Sequence, residues 1–467
     1  MIKKESNCIK SINSKRLIII VFFVVTVLIF TVIVFFVPKQ FVDIGLVITD
    51  KDDNSIIEPV LNANDDIYTE NIDFYSYIDI VVAEATRIVS GLKKISEDEA
   101  YEWLIKNGCV VKTAFDQTVI PKIYKAYITS EASGNDFGFV MTNLCGQVIC
   151  SYSSSIEENF AVKLTQPYSS IKPLSVYAPA IESGRITYST LFKDLPFKNI
   201  SGENGEVIEW PQNGNGYFTG KDTSVVDAIR YSLNTVAVNC IIEDIPESFD
   251  FLQNSLGVNL QYEAEKMELF GSEEVLSHIA LGYLIEGVSP LDMAGYYSIF
   301  ATGGKYVKPY SVTCIKTSDG REVYTAMPDK IEIISEETAY IMNRLLAAPL
   351  EKDGTAYRAA QENVSVIGKT GTGDNYTGCL FTCLTPEYAF SFWHNGEKIR
   401  KNVTPDIFNM LASQIQFDET KKFYECDGVK ELQYCVESGN IATPKCPKVK
   451  SGFYSVASMP EKCFIHK

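Results

Sequence analysis

The amino-acid sequence predicts an α/β (α+β) fold held to a membrane by a single N-terminal transmembrane helix. Three observations predict it. Segments of strand character alternate with helical ones from residue 74 onward, as in a sheet with helices packed between its strands. Residues 17–37 run without a single charge. A chain of 467 residues, 46% of them hydrophobic, holds enough apolar surface for one large domain or two to three ordinary ones.

The uncharged run, LIIIVFFVVTVLIFTVIVFFV, closes at Pro38 and Lys39. At about 1.5 Å per residue it spans the roughly 30 Å hydrocarbon core of a bilayer. Lys3, Lys4, Lys10, Lys15 and Arg16 precede it against Glu5 alone, which predicts a cytoplasmic N-terminus. No small-residue cleavage site follows, so the run reads as an uncleaved anchor with the remaining chain outside the cytoplasm. The acidic, turn-rich stretch 50–66 reads as a spacer.

Residues 74–107 look helical around Ile80, Val81, Ala85 and Leu92, and 109–115 look extended. Residues 137–152 read as two strands about the turn 143–146. A helical block covers 169–183 and ends at Gly184. Further helices are expected at 224–243, 289–300 and 335–350. Strands are expected at 310–316, 364–368, 378–384 and 388–393.

A formal net charge of −17 argues against a nucleic-acid partner, which needs clustered Lys and Arg. Twelve cysteines suit an extracytoplasmic location. Cys426, Cys435, Cys446 and Cys463 gather near the C-terminus. With no CxxC pair there, disulfides are the stronger reading and a zinc site the weaker. Cys446 with Cys463 is the expected pair, and no metal site is expected. In an environment without oxygen all twelve would stay thiols.

Only His278, His394 and His466 are present, in no HExxH arrangement, and no GxSxG elbow occurs, which disfavours a zinc peptidase or a Ser-His-Asp hydrolase. The stretch QPYSSIKPLSVYAPAIESG offers other chemistry. In a helix, residues three apart share a face and residues two apart do not, so Ser169 can meet Lys172 and Ser170 cannot. A lysine kept neutral by burial or a neighbouring cation can serve as base to a hydroxyl. A helix N-terminus favours the alkoxide and offers an amide to an oxyanion.

S-x-x-K alone is weak, because it recurs at Ser90–Lys93. S-x-N starts at Ser11, Ser133, Ser232 and Ser438, whereas K-T-G occurs once, at Lys369-Thr370-Gly371. Their order raises them above chance: Ser169 and Lys172 at a helix start, then Ser232-Leu233-Asn234 in a helix-associated loop, then Lys369-Thr370-Gly371 at a strand end.

That order resembles the signature of penicillin-binding proteins and serine β-lactamases, with S-L-N in place of S-D-N. The likeness extends to the transpeptidase half of the bifunctional, class A penicillin-binding proteins. NGCVVKTAFDQTVIPKIYKAY is similar to that family's linker and NFAVKLTQPYSSIKP to the approach to its nucleophile. WPQNGNGYFTG and DAIRYSLNTVAV resemble its second-motif region. LGYLIEGVSPLDMAGYYSIFATGGKYVKPYSV is similar to what precedes its third motif, and ESGNIATPKCPKVKSGFYSVASMPEKCFIH to its ending. The resemblance covers roughly residues 70–467.

It implies an antiparallel sheet flanked by helices, as in serine β-lactamases. It divides the chain into a cytoplasmic tail (1–16), the anchor (17–37), an acidic spacer (38–66), a linker region (67–135), a transpeptidase domain (136–415) and a Cys-rich tail (416–467). By the same resemblance Ser169 attacks the carbonyl of a D-Ala-D-Ala stem peptide while Lys172 takes its proton. Ser232 and Lys369 relay a proton to the departing D-Ala, and Asn234 holds the peptide amide and Lys172. Thr370, Gly371 and Thr372 belong to the substrate-binding strand, the two threonines on the terminal carboxylate. The N–H groups of Ser169 and Thr372 form the oxyanion hole. The acyl-enzyme then passes to an amine of a second stem peptide, cross-linking peptidoglycan at the bacterial cell membrane. β-Lactams would acylate Ser169, and no cofactor is implied.

Only a short stretch separates the anchor from the linker, so no glycosyltransferase domain is expected there, and a glycosyltransferase partner would supply the glycan. Three features depart from the family. Tyr168 stands where it has Gly, Pro179 interrupts the nucleophile helix, and YTGCLF replaces its Asp-x-Trp-Phe after the third motif. Two alternatives stay open: a D,D-carboxypeptidase, with the same motifs but water as acceptor, and a catalytically weak wall-binding scaffold. A β-lactamase is disfavoured, since no Glu between Ser232 and Lys369 is followed three or four residues later by Asn.

Overall fold

The computed structural model describes residues 45–57, 74–202 and 205–467. The expected tail 1–16 and anchor 17–37 lie outside the described residues. Among the described residues no helix is long and apolar enough to cross a membrane.

Five antiparallel strands form the central sheet, in the spatial order Ile367–Thr372, Cys379–Leu384, Tyr388–His394, Phe137–Asn143 and Val148–Ser153. Period-two alternation sorts their side chains between two cores. Phe139, Met141, Phe381, Cys383, Phe390 and Phe392 enter one; Val140, Leu380, Leu384, Ala389 and Trp393 enter the other. With both faces covered, the strands read as nearly continuous apolar runs. The first core is closed by the helices Tyr75–Lys93, Ile120–Thr129 and Thr404–Ala412. The second core holds the helical half, including Val225–Tyr231, Asn234–Ile241, Pro290–Tyr297 and Glu336–Ala347.

Several helices start where the sequence supplies a cap. Ser96 and Glu99 form a reciprocal capping box before Glu97–Lys106, Ser289 and Asp292 do so before Pro290–Tyr297, and Ser335 caps Glu336–Ala347. Each cap satisfies amides that would otherwise lack a partner, worth about 1 kcal/mol.

Four expectations about local structure are corrected. The helical stretch expected over 74–107 is two helices, Tyr75–Lys93 and Glu97–Lys106, parted by the left-handed Lys94 and the cap Ser96. The first part of the acidic spacer is folded: Val47–Thr49 pairs in parallel with Val110–Thr113, in a four-stranded sheet completed by Val312–Lys316 and Glu322–Thr325. The buried Asp50 carboxylate accepts the N–H groups of Asp52 and Asn54 at 2.9 and 2.8 Å, so turn chemistry had the look of a linker. The helix expected over 224–243 is two helices, broken at Ser232. The strand expected over 364–368 begins at Ile367 and runs through the third motif to Thr372.

The C-terminal segment is a hairpin, Val429–Cys435 against Val449–Ser455, docked on the helical half. Ser189 Oγ meets Tyr454 Oη at 2.7 Å and donates to the Gly439 carbonyl at 2.6 Å. The expected Cys446–Cys463 disulfide is not formed, and all eleven described cysteines are free thiols. No metal site was expected, yet a candidate ligand set is assembled. Cys435, Cys446, Cys463 and His466 converge, their ligand atoms within 4.8 Å of one another. A CxxC search misses them because Cys435, at a strand end, and Cys446, in the loop that follows, are far apart in sequence, and the close pair is Cys463-x-x-His466.

Candidate active site

The third motif sits on the edge strand of the sheet. Lys369 and Gly371 share the parity of Ile367, so they face the helical half. Lys369 is fully buried; its Nζ donates to Ser232 Oγ at 2.7 Å and to the Thr370 carbonyl at 3.0 Å. Gly371 is glycine because the nucleophile turn lies against it: an added Cβ would stand 2.2 Å from the Pro167 carbonyl oxygen and 3.1 Å from the Ser170 amide nitrogen.

The nucleophile segment changes helical pitch twice. A 3-10 turn covers Tyr168–Ser170, a π turn Pro173–Tyr177, and an α-helix Ala178–Glu182, with Pro179 in its first turn. The kink expected at Pro179 is this change of register. Ser170 is fully buried and donates to the Pro167 carbonyl at 2.6 Å, so its hydroxyl is engaged. Ser169 is half-buried and lines the cleft. Its turn is braced from behind by Tyr297, which donates to the Ser170 carbonyl.

The second motif is built by a chain reversal. Helix Val225–Tyr231 ends at Ser232, whose φ of 59° is left-handed, and Asn234 opens the next helix. The reversal aims three oxygens at one amine. Lys172 Nζ donates to Asn234 Oδ1 at 2.6 Å, to the Ser232 carbonyl at 3.1 Å and to the Leu233 carbonyl at 3.4 Å. Behind it, Asn213 Oδ1 accepts the Asn234 amide at 2.9 Å. Asn213 Nδ2 in turn donates to the buried Asp194, which also accepts from Thr235 Oγ1 at 2.6 Å and the Thr219 amide at 2.8 Å. Burial alone would raise the Asp194 carboxyl, but those donors outweigh it and hold it below the ordinary range.

Both lysines are buried against neutral oxygens. Burial pushes Lys172 well below the ordinary lysine value, and the nearby charge of Lys369 pushes it further. Burial lowers Lys369 to about 7. Lys172 is thus the amine available to take a proton near neutrality, and Lys369 the one that is still partly charged there.

Of the eight residues expected to form the site, Ser169, Ser232, Asn234, Thr370 and Thr372 line one open cleft of about 1160 Å³. Lys172 and Lys369 lie buried beneath it, and Gly371 seats the nucleophile turn. One expected contact is not made. Among the described residues Ser169 Oγ has no hydrogen bond, since Lys172 Nζ is committed to the second motif.

Two departures from the family meet in space. Tyr168 adopts a left-handed φ of 48°, a backbone position that costs a non-glycine residue about 1–2 kcal/mol. Its ring is 7% exposed and packs where Gly373 and Gly378 have no side chain: Cβ atoms there would lie 2.4 and 3.0 Å from ring carbons. Its hydroxyl meets Thr377 Oγ1 at 3.1 Å, and Tyr283 stands edge-on at 5.5 Å between centroids. The bulk of Tyr168 is therefore taken up by the loop 373–378, whose glycines the ring packs against.

Asp194, Asn213, Tyr297 and Asn402 were not legible as site residues. Asn402 Nδ2 clasps the strand end, donating to the Gly371 carbonyl at 2.9 Å, Leu380 carbonyl at 3.1 Å and Thr372 Oγ1 at 3.2 Å. Asn213 lies within WPQNGNGYFTG, but its part depends on a partner, Asp194, from a separate segment.

Residues 139–379 match the penicillin binding protein transpeptidase domain. The chain belongs to this family. Penicillin-binding protein 1A of Clostridium botulinum is 29% identical over 367 residues, covering 73% of this chain and 42% of the relative. Penicillin-binding protein 1F of Bacillus subtilis is 27% identical over 350 residues, covering 70% and 44%. The chain therefore spans less than half the length of these relatives. Among solved structures, the apo form of penicillin binding protein 3 from Mycobacterium tuberculosis superposes with a TM-score of 0.60 at 16% identity, over 79% of this chain and 95% of that one. The D,D-transpeptidase domain of a peptidoglycan glycosyltransferase from Eggerthella lenta gives 0.57 at 16% identity, over 79% and 97%. At such identities the superpositions speak for the fold of this penicillin-binding protein, and its chemistry rests on the geometry above.

Proposed function

We propose that this penicillin-binding protein is a serine D,D-transpeptidase that cross-links peptidoglycan stem peptides through an acyl-enzyme on Ser169, at the outer face of a membrane that residues 17–37 anchor it to. The observation that carries the reading is the pair of buried lysines on Ser232, Lys172 on its carbonyl and Lys369 on its hydroxyl. Among the described residues Lys172 meets only neutral oxygens, so once substrate draws the Ser169 hydroxyl toward it, it can accept the proton. The Ser169 oxygen attacks the D-Ala carbonyl, and the charge developing on the carbonyl oxygen meets the N–H groups of Ser169 and Thr372. Collapse expels the terminal D-Ala, whose nitrogen receives a proton through Ser232 and Lys369. The 2.7 Å contact between those two supports the relay. Thr370 and Thr372, beside the charge on Lys369, would take the terminal carboxylate. An amine of a second stem peptide then releases the acyl group, on glycan made by a separate glycosyltransferase.

The test is intact-mass analysis after incubation with benzylpenicillin, with Ser169→Ala as control. A stable adduct on Ser169 that the control lacks supports the nucleophile. No adduct across several β-lactams would return the chain to the scaffold reading. A D-Ala-D-Ala pentapeptide offered with and without an amine acceptor then separates transfer from hydrolysis. A tetrapeptide as the sole product would make the enzyme a D,D-carboxypeptidase.

A further inference from the structure

The C-terminal hairpin brings three thiols and an imidazole to one point. Cys435 ends the strand Val429–Cys435. Cys446 lies in a tight turn whose N–H returns to the Thr443 carbonyl at 3.0 Å, and the Cys463 N–H is tied to the Ile441 carbonyl at 2.7 Å. His466 Nδ1 stands 3.4 Å from Cys435 Sγ and 3.5 Å from Cys463 Sγ. A tetrahedral zinc centre, with Zn–S of about 2.3 Å and Zn–N of about 2.0 Å, has N···S edges of about 3.5 Å. A disulfide would draw two sulfurs to about 2.05 Å and leave a thiol and the imidazole with no role.

The surroundings orient the four groups. His466 Nε2 lies 3.2 Å from a Glu437 carboxylate oxygen. An N–H donated there turns the Nδ1 lone pair toward the thiols, the arrangement that supports metal-bound histidine. Cys446 Sγ accepts the Thr443 N–H at 3.2 Å, a contact that steadies a thiolate. Cys435 and Cys463 are buried while Cys446 is half-buried, which leaves an ion a way in.

We propose that Cys435, Cys446, Cys463 and His466 bind one zinc ion, a structural site that fastens the last residues of the chain to the hairpin. Three thiols release their protons to solvent and the imidazole binds neutral, so the filled centre carries a net charge of −1. Four protein ligands leave no open position for substrate, which makes the site structural rather than catalytic. The hairpin it closes reaches the cleft. Lys450 lies 3.1 Å from Asp227, on the helix that ends at Ser232, and both residues line the cleft wall.

The experiment measures metal content of the full chain, purified with reductant and zinc and then dialysed. One zinc per chain is expected, and replacement by cobalt should give the intense visible bands of a tetrahedral thiolate site. Cys446→Ser and His466→Ala should each lose most of the metal. Glu437→Gln keeps all four ligands, so it guards against a folding failure; its zinc affinity should fall about 10–100-fold in competition with a chelator. Zinc far below one per chain, iron in its place, or zinc retained by both ligand variants would overturn the proposal. So would a Cys446–Cys463 disulfide mapped in protein purified without reductant. None of these readouts depends on transpeptidase activity.

Discussion

Replacing Lys369 by methionine should stabilise this protein while abolishing its acylation. The side chain is fully buried, and burial lowers its amine from 10.5 to about 7. The unfolded chain therefore holds a proton that the folded chain sheds between those values. A base lowered in the folded state costs stability fully below about pH 7, progressively less as pH rises, and nothing above about 10.5. At about 1.36 kcal/mol per pH unit, the cost near pH 7 is about 4 kcal/mol. Methionine fills a similar volume without charge but loses the bonds to Ser232 Oγ and the Thr370 carbonyl, worth about 1 kcal/mol each. A net gain of about 2 kcal/mol is expected near pH 7, shrinking and then reversing toward pH 10. Thermal unfolding of the purified full chain and of Lys369→Met, followed by tryptophan fluorescence at several pH values, measures it. A variant no more stable than the parent near pH 7, or a gap that ignores pH, would refute the reasoning. The amine would then be charged at no cost, and its part in the site would need another basis.

Acylation by a β-lactam should follow a bell-shaped pH profile, rising on the acid side as Lys172 loses its proton and falling above about pH 7 as Lys369 loses its own. Lys369→Arg, which cannot deprotonate there, should remove the alkaline fall; a fall that persists would assign it to another group. Gly371→Ala places a methyl 2.2 Å from the Pro167 carbonyl oxygen and should slow acylation at least about 100-fold, a 1 Å displacement of the nucleophile being enough, while overpacking lowers stability by about 1–3 kcal/mol in thermal unfolding. Undiminished acylation would show that the turn moves freely. Tyr168→Gly relieves a left-handed backbone worth about 1–2 kcal/mol but empties the space beneath Gly373 and Gly378, where loss of an aromatic side chain costs about 3–5 kcal/mol. Net destabilisation by about 2 kcal/mol is expected in thermal unfolding, and a more stable variant would mean the ring props nothing.

What the sequence by itself determined about this protein was its family and much of its local structure. Three motifs in order name Ser169, Lys172, Ser232, Asn234 and Lys369, because such motifs are contiguous and the reaction demands those residue types. Caps at Ser289 and Ser335 mark helix starts through contacts three residues long, whereas the start at Ser96 is hidden inside a stretch that reads as one helical block. Short apolar runs bounded by turn residues in 137–152 and 378–393 mark strands, because a sheet covered on both faces buries nearly every residue of its strands.

Tertiary structure decided the rest. Whether Lys172 is a base depends on burial and on Lys369, far along the chain. The break at Ser232 goes unseen in an apolar run that favours one continuous helix; it exists because the chain must turn three oxygens onto that amine. Residues 45–57 look like a linker until the parallel pairing with Val110–Thr113 is formed. Tyr168 and Gly378 read as two separate defects in the sequence, and only packing makes them complementary. The same holds for Cys435, Cys446, Cys463 and His466. Their spacing matches no short ligand motif, and they become neighbours only when the hairpin forms and residues 461–463 pair with Ile441, because sequence patterns report local periodicity whereas a site depends on which distant segments the fold brings together.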